Sequence, residues 1–159
     1  IHLLRVRDGR ITRLTSHPGI DSSPAWSPTG REILFTSDRS GSPQIYVMDS
    51  EGGNVRRLTF EGSYNDQGAW SPRGDSIAYT SRVEGRFEIY RHDLKDQRAV
   101  RITSGGGNKE SPSWSPDGRH LAFCSDVTGR YEVYTMDADG GRVRRVTRDG
   151  GNSSPDWSQ

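Results

Sequence analysis

The chain has 159 residues, of which 22 are basic and 21 acidic, and a net charge of +1 draws it to neither nucleic acid nor anionic lipid as a whole. Its single cysteine, Cys124, excludes an intrachain disulfide framework and a cysteine-based zinc site. No apolar run approaches the roughly 18 residues of a membrane helix, so we expect no membrane insertion.

Residues 1–19 align with the second half of a repeat that recurs downstream, because Thr15 matches Thr59 of the next copy. An Asp-Gly pair between two alternating runs is a strong signal for a hairpin turn. Asp8 and Gly9 form such a pair, and we predict two strands joined by a turn over 7–10.

The first full repeat covers 20–62 and contains four short alternating runs separated by turn residues. A turn with Pro at its second position and Gly at its fourth is typical of type I, and 27–30 has this pattern. We predict strands over 24–27, 32–36, 44–48 and 55–59.

Four tryptophans mark the register of the repeats. Trp26, Trp70, Trp114 and Trp157 are 44, 44 and 43 residues apart. A period of this length is typical of one β-propeller blade rather than of a helical hairpin. The repeats after 20–62 are 63–106 and 107–150, and 151–159 begins another copy with a lone inner strand.

The repeats predict an all-β fold of β-propeller blades, each with four antiparallel strands and about 44 residues. The chain, 1–159, would be one partial propeller domain with three full blades and a partial blade at each end. Three blades do not close a ring of roughly four to eight. We expect missing N-terminal sequence to complete the ring, or alternatively another chain.

The repeated aromatic residues are first interpreted as structural. A tryptophan at one place on each inner strand fills the wedge between twisted neighbouring sheets, although a carbohydrate-stacking platform is the alternative. Tyr46, Tyr90 and Tyr134 recur at another fixed place, and we expect their rings in the core.

The sequence motifs of the repeats also indicate a family. SPSWSPDGRHLAFCSD over 111–126, IYVMDSEGGNVRRLT over 45–59 and FEGSYN over 60–65 resemble the TolB-like, PD40-type β-propeller repeats. The resemblance extends through all three full repeats. It implies a non-enzymatic protein-binding scaffold of the bacterial cell envelope, of the Tol-Pal type that maintains the outer membrane.

The same resemblance implies a periplasmic location, no cofactor, and a protein partner such as a peptidoglycan-associated lipoprotein bound at one end of the central channel. Similar repeats occur in the propellers of larger enzymes, and a prolyl-oligopeptidase-like peptidase is the alternative. The residues themselves give catalysis little support. The four histidines share no repeat position, and no G-x-S-x-G, HExxH or phosphate-binding loop is present.

The candidate binding residues lie in the segments that precede the inner strands, because loops on a rigid scaffold vary and carry function. These segments should meet at one mouth of the channel. The candidates are Asp21, Ser22, Asn65, Asp66, Lys109, Glu110, Asn152 and Ser153.

Asp21, Asp66 and Glu110 would bring acidic groups together at this mouth, where a partner segment with basic or amide donors could dock. A bound cation and merely solvated loops are the alternatives, and we assign no metal site. The open blade edges at Ile1 and Gln159 leave self-association as a further alternative.

Overall fold

The structure is a computed structural model that describes residues 1–157. Its strands are β1 (His2–Arg5), β2 (Arg10–Arg13), β3 (Asp21–Trp26), β4 (Glu32–Ser37), β5 (Gln44–Asp49), β6 (Arg56–Arg57), β7 (Asn65–Trp70), β8 (Ser76–Val83), β9 (Arg86–Asp93), β10 (Arg98–Arg101), β11 (Lys109–Trp114), β12 (His120–Ser125), β13 (Glu132–Asp137) and β14 (Arg144–Arg145).

The strands form three four-stranded sheets and one hairpin, and within each of these sheets consecutive strands pair antiparallel. We call β3–β6 blade one, β7–β10 blade two and β11–β14 blade three, while β1 and β2 form the half blade. The all-β fold class and the four-stranded blades are therefore confirmed. Within the described residues, the structure contains no helix that is long and apolar enough to span a membrane.

In blade one the inner strand is longer than predicted and the outer strand is shorter. β3 begins at Asp21 rather than at residue 24, because a β-bulge between Ser22 and Ala25 lets the pairing with β4 continue past the expected start. The same bulge recurs in β7 and β11. It places a non-glycine residue in the left-handed region each time: Ser23, Gln67 and Ser111, with φ of 51°, 55° and 55°.

Each blade faces the preceding one with an aromatic pair from its two middle strands. In blade three the pair is Phe123 and Tyr134, whose ring centroids are 5.6 Å apart. These rings pack with Ile89 and Ala78 of blade two in one buried cluster. The expectation that Tyr134 lies in the core is correct.

The tryptophans also lie between blades. Trp114 is 8% exposed, and its Nε1 donates to the carbonyl oxygen of Ala69 on the preceding inner strand at 3.2 Å. Trp157 repeats this contact with the carbonyl oxygen of Ser113. Trp26 has no preceding inner strand within the described residues and is 48% exposed.

The segment that follows blade three differs from the prediction of a lone inner strand. Residues 151–157 have no strand assignment, although Asn152 N donates to the carbonyl oxygen of Tyr131 at 3.0 Å. The reason is that no partner strand lies beside this segment within residues 1–157, whereas β3, β7 and β11 each form against one. The last two residues of the predicted strand lie outside the described part of the chain.

Candidate partner-binding site at the channel mouth

The predicted binding residues do not lie in loops in the three full blades. Asp21 and Ser22 open β3, Asn65 and Asp66 open β7, and Lys109 and Glu110 open β11. Only Asn152 and Ser153 lie outside a strand. Because the first two residues of a strand point to opposite faces, the two members of each pair have different surroundings.

The first member of three pairs faces the preceding blade and is not free for a partner. The Nδ2 atom of Asn65 donates to Gln44 Oε1 at 2.8 Å. Lys109 Nζ lies 3.4 Å from Glu88 Oε1, and Asn152 Nδ2 donates to Glu132 Oε2 at 3.2 Å.

A threonine from the end of the preceding blade completes each of these contacts. Thr59 Oγ1 donates to Gln44 Oε1 at 2.8 Å and accepts the backbone N–H of Ile45 at 2.9 Å. Thr103 repeats the arrangement with Glu88, and Thr147 with Glu132. We call this three-part contact the blade clasp; its members are Gln44, Thr59 and Asn65, then Glu88, Thr103 and Lys109, then Glu132, Thr147 and Asn152.

Asp21 occupies the equivalent place in blade one but turns to a basic side chain. Its Oδ1 accepts from Arg39 Nη2 at 3.0 Å. Burial alone would raise the pKa of Asp21. The hydrogen bonds from Ser37 and Arg39 lower this pKa by a larger amount, so the net shift is downward. The prediction that Asp21 joins Asp66 and Glu110 in one open acidic group is therefore wrong.

The second members of the pairs have other contacts. Asp66 Oδ1 accepts from Ser23 Oγ at 3.0 Å and from Thr36 Oγ1 at 2.6 Å, both on blade one. The Oδ2 atom of Asp66 accepts from Tyr64 at 3.2 Å. Ser22 pairs with Thr36 across β3 and β4, and Ser153 is exposed.

Glu110 is the acidic residue of the next blade, and it accepts a hydrogen bond from the hydroxyl of Tyr131. Tyr64 lies near both acids: its hydroxyl donates to Asp66, and the negative charge of Glu110 also raises its pKa. Its ring centroid lies 5.5 Å from that of Phe87. We call Tyr64, Asp66, Phe87, Glu110 and Tyr131 the mouth cluster.

The negative charges of this cluster affect the pKa of its two tyrosines. Partial burial raises the pKa of Tyr64, and Asp66 and Glu110 raise it further. Burial likewise raises the pKa of Tyr131, and the hydrogen bond to Glu110 adds to the rise. Both hydroxyls therefore stay protonated and donate to the carboxylates.

Neither metal nor thiol chemistry is evident in the described residues. Among 1–157, no group of three or more His, Cys, Asp or Glu side chains lies close enough together to hold a metal ion. Cys124 is buried and occupies the repeat position that Thr36 has in blade one. Its Sγ atom lies 3.3 Å from the carbonyl oxygen of Glu110. Burial raises the pKa of its thiol, which favours the unreactive protonated form.

Sequence reasoning missed the tyrosines of the mouth cluster and the acceptors of the blade clasp. Tyr64 and Tyr131 do not share a repeat position, so no periodic signal marks them. The acceptors Gln44, Glu88 and Glu132 do share one, at a spacing of 44 residues. That spacing, with the threonines 15 residues further on, could have identified the clasp.

The repeats match the family model of the TolB beta propeller domain over residues 1–98 and 80–159, which together span the chain. The chain belongs to the TolB β-propeller family. This PD40 assignment confirms the resemblance that its repeats indicated.

Two relatives carry the TolB name. Over 42 residues, the chain is 55% identical to the Tol-Pal system protein TolB of Bordetella pertussis, a stretch that is 26% of this chain and 10% of that protein. The crystal structure of TolB from Acinetobacter baumannii matches with a TM-score of 0.83 and 30% identity, covering 94% of this chain and 37% of that one. The chain thus spans well under half the length of these relatives.

Enzyme propellers share the fold as well. A puromycin-hydrolyzing peptidase of Mycobacterium tuberculosis matches with a TM-score of 0.71 and 19% identity over 92% of this chain and 26% of that one. Likeness at this identity shows the architecture alone.

Proposed function

We propose that this propeller segment is part of a non-enzymatic scaffold of the bacterial cell envelope that binds a protein partner at the mouth cluster. The TolB family membership supports the scaffold role, and the Tol-Pal names of relatives support a periplasmic place in that system. A peptidoglycan-associated lipoprotein is the proposed partner.

The observation that carries the proposal is the state of Asp66 and Glu110. Both carboxylates are half-buried and hydrogen-bonded by hydroxyl groups, and neither forms an ion pair with a basic side chain within 1–157. A partly desolvated carboxylate that lacks a cation favours a partner with basic or amide donors. Lys109, Asn65 and Asn152 are left out of the proposed contact surface because the blade clasp uses them.

The alternative is the propeller of a larger enzyme, which the peptidase likeness favours only as a fold. The two functions differ in what the whole protein contains. A hydrolase domain with a G-x-S-x-G nucleophile motif in the same polypeptide would decide for the enzyme.

The binding site is tested by charge reversal at the mouth. We expect Asp66→Lys and Glu110→Lys each to weaken binding of the soluble domain of a peptidoglycan-associated lipoprotein by about tenfold or more, as measured by titration calorimetry. Asp96→Lys is the matched control, because Asp96 is exposed on the turn between β9 and β10, at the other end of the blade.

The neutral variants Asp66→Asn and Glu110→Gln guard against misfolding, since they keep the shape of the side chains. Circular dichroism should show an intact fold for every variant. Unchanged affinity in folded mouth variants would exclude this surface, and no binding by the wild-type chain would exclude this partner.

A further inference from the structure

A pocket of about 300 Å³ lies between β9 and β10 of blade two and the turn that follows β13 of blade three. This volume is at the lower end of the range for ligand pockets, roughly 300–1,000 Å³. Its wall contains the apolar side chains of Val100, Ile102 and Ala138 together with the side chain of Arg91. None of these residues belongs to the mouth cluster, and the proposed function makes no use of the pocket.

Two residue changes within the repeat account for this opening. Between blades one and two, Leu94 packs against the apolar cluster that contains Val47. The equivalent residues between blades two and three are Ala138 and Arg91. An alanine is too short to fill the space of a leucine, and the arginine brings a charged group to the position of the valine. The second interface is thus open where the first has an apolar contact.

Arg91 lacks a partner that comparable arginines have. The arginines that are half-buried within residues 1–157 are Arg39, Arg57, Arg91 and Arg145. The first, second and fourth of these donate to Asp21, Ser40 and Glu132. Arg91 forms no hydrogen bond and no ion pair with any residue in the described part of the chain. Because polar groups that lose water on folding are nearly always paired, its donors are available to a ligand.

The surroundings of Arg91 leave these donors free. Its guanidinium carbon lies 6.0 Å from the ring centroid of Trp114, and stacking of this kind occupies the face of the planar group rather than the N–H donors at its edge. Asp93 already accepts two backbone N–H groups of the turn after β9, and Asp75 accepts two serine hydroxyls. These hydrogen bonds lower the pKa of both carboxyls, and the charge of Arg91 lowers it further. Both acids are therefore engaged without closing an ion pair to Arg91.

A carboxylate is the group that fits these donors. A guanidinium pairs with a carboxylate through two parallel hydrogen bonds, and the apolar wall beside it suits an aliphatic chain. Arg98 adds a second positive charge to the wall, while Asp96 and Asp139 lie on exposed turns at the rim. The rim acids repel a phosphate dianion more strongly than a carboxylate, which carries a single charge.

We infer that this pocket binds an aliphatic carboxylate. The carboxylate pairs with Arg91, and the aliphatic chain lies against Val100, Ile102 and Ala138. A free acid and the C-terminal residue of a polypeptide present this same chemistry. The inference goes beyond the proposed function and does not depend on the mouth cluster.

The probe for this site is isovalerate, titrated into the ¹⁵N-labelled chain and followed by amide chemical shifts. We expect saturable shifts centred on the residues that line the pocket, with a dissociation constant on the order of 1 mM for so small a ligand. Isovaleramide has nearly the same shape without the charge and should bind about tenfold more weakly or worse. Equal affinity of the amide would overturn the assignment of a carboxylate.

Two variants copy the preceding interface into this one. Ala138→Leu should fill the pocket and weaken isovalerate binding by about tenfold or more, although Arg91 is kept. Arg91→Val, which copies Val47, should weaken it as much by removing the charge. Arg101→Val is the matched control, because Arg101 is exposed on the same outer strand and points to the opposite face from Val100. It should leave the affinity unchanged, and either pocket variant suffices if the other fails to fold.

Further probes identify the source of the carboxylate. N-acetyl-L-leucine represents the C-terminal residue of a polypeptide. Tighter binding of N-acetyl-L-leucine than of isovalerate would assign the pocket to a polypeptide terminus, and equal or weaker binding would assign it to a free acid. Asp139→Asn removes one rim charge but keeps an oxygen for the N–H of Gly141, so it should strengthen the binding of isovalerate.

Absence of saturable shifts in the wild-type chain, or unchanged affinity in folded Ala138→Leu and Arg91→Val, would exclude the pocket as a carboxylate site. Asp66→Lys should leave the affinity for isovalerate unchanged. A failure at the mouth and a failure in this pocket are therefore distinguishable.

Discussion

Lys109 and Glu88 form a buried ion pair between blades two and three, with 3.4 Å between Nζ and Oε1 and side-chain exposures of 7% and 4%. The equivalent place between blades one and two holds the neutral pair Asn65 and Gln44, at 2.8 Å. One blade contact is thus built with two chemistries in the same chain. The neutral pair is therefore a natural model for replacing the ion pair, and the comparison measures what the two charges contribute to the stability of the blade contact.

Removing one member of the ion pair should be costly. Lys109→Met leaves Glu88 buried without its cation, and breaking a buried pair in this way costs about 3–5 kcal/mol. The double variant Glu88→Gln with Lys109→Asn copies the pair of the preceding blade and should recover most of this loss. Urea unfolding of the wild-type chain, Lys109→Met and the double variant measures both effects. A double variant no more stable than Lys109→Met would show that the two contacts are not interchangeable.

The blades were predictable from the sequence because the period of 44 residues and the turn residues are local signals. The directions of the side chains at the mouth were not. The bulge between Glu110 and Ser113 inserts one residue into the alternation of β11, so the side chains before it cannot be placed by counting back from Trp114. Lys109 consequently enters the blade interface, although its position before the tryptophan indicated an exposed loop.

His92 should make the stability of the chain depend on pH. It is 5% exposed, and its Nε2 atom has no hydrogen-bond partner among the described residues. The equivalent residues of blades one and three are Met48 and Met136. Burial lowers the pKa of His92, although Gln97 and Asp93 act in the opposite direction. The unfolded chain, with a pKa of about 6.5, therefore takes up the proton first as the pH falls.

Its neutral form thus contributes stability that is fully present above about pH 6.5 and is lost below it. We expect His92→Met to raise the free energy of unfolding by about 1 kcal/mol near neutral pH, because it removes an unpaired buried nitrogen. The gain should grow as the pH falls to about 5. Denaturant unfolding across this range checks it, and a gain that stays constant with pH would contradict the titration of His92.

Trp114 should contribute more to the free energy of unfolding than Trp26, although both occupy the same position in the repeat. Trp114→Phe loses the hydrogen bond from Nε1 to the carbonyl oxygen of Ala69 and part of a buried ring, which we expect to cost about 2 kcal/mol. Trp26 is half-exposed, so Trp26→Phe should change stability by less than about 0.5 kcal/mol. Thermal unfolding of the two variants compares them, and equal losses would indicate that the interblade contact is not what Trp114 supplies.

Gly140 permits the close approach of blades two and three. Its φ is +93°, and a Cβ atom there would lie 2.2 Å from the carbonyl oxygen of Ile102. Gly129 has a similar φ of +89° but open space where its Cβ would be, so Gly129→Ala carries only the backbone strain, about 1–2 kcal/mol. We expect Gly140→Ala to cost about 2 kcal/mol more than this control, since the blades must move apart. Denaturant unfolding of the pair isolates the steric part, and equal losses would show that the contact between Gly140 and Ile102 relaxes freely.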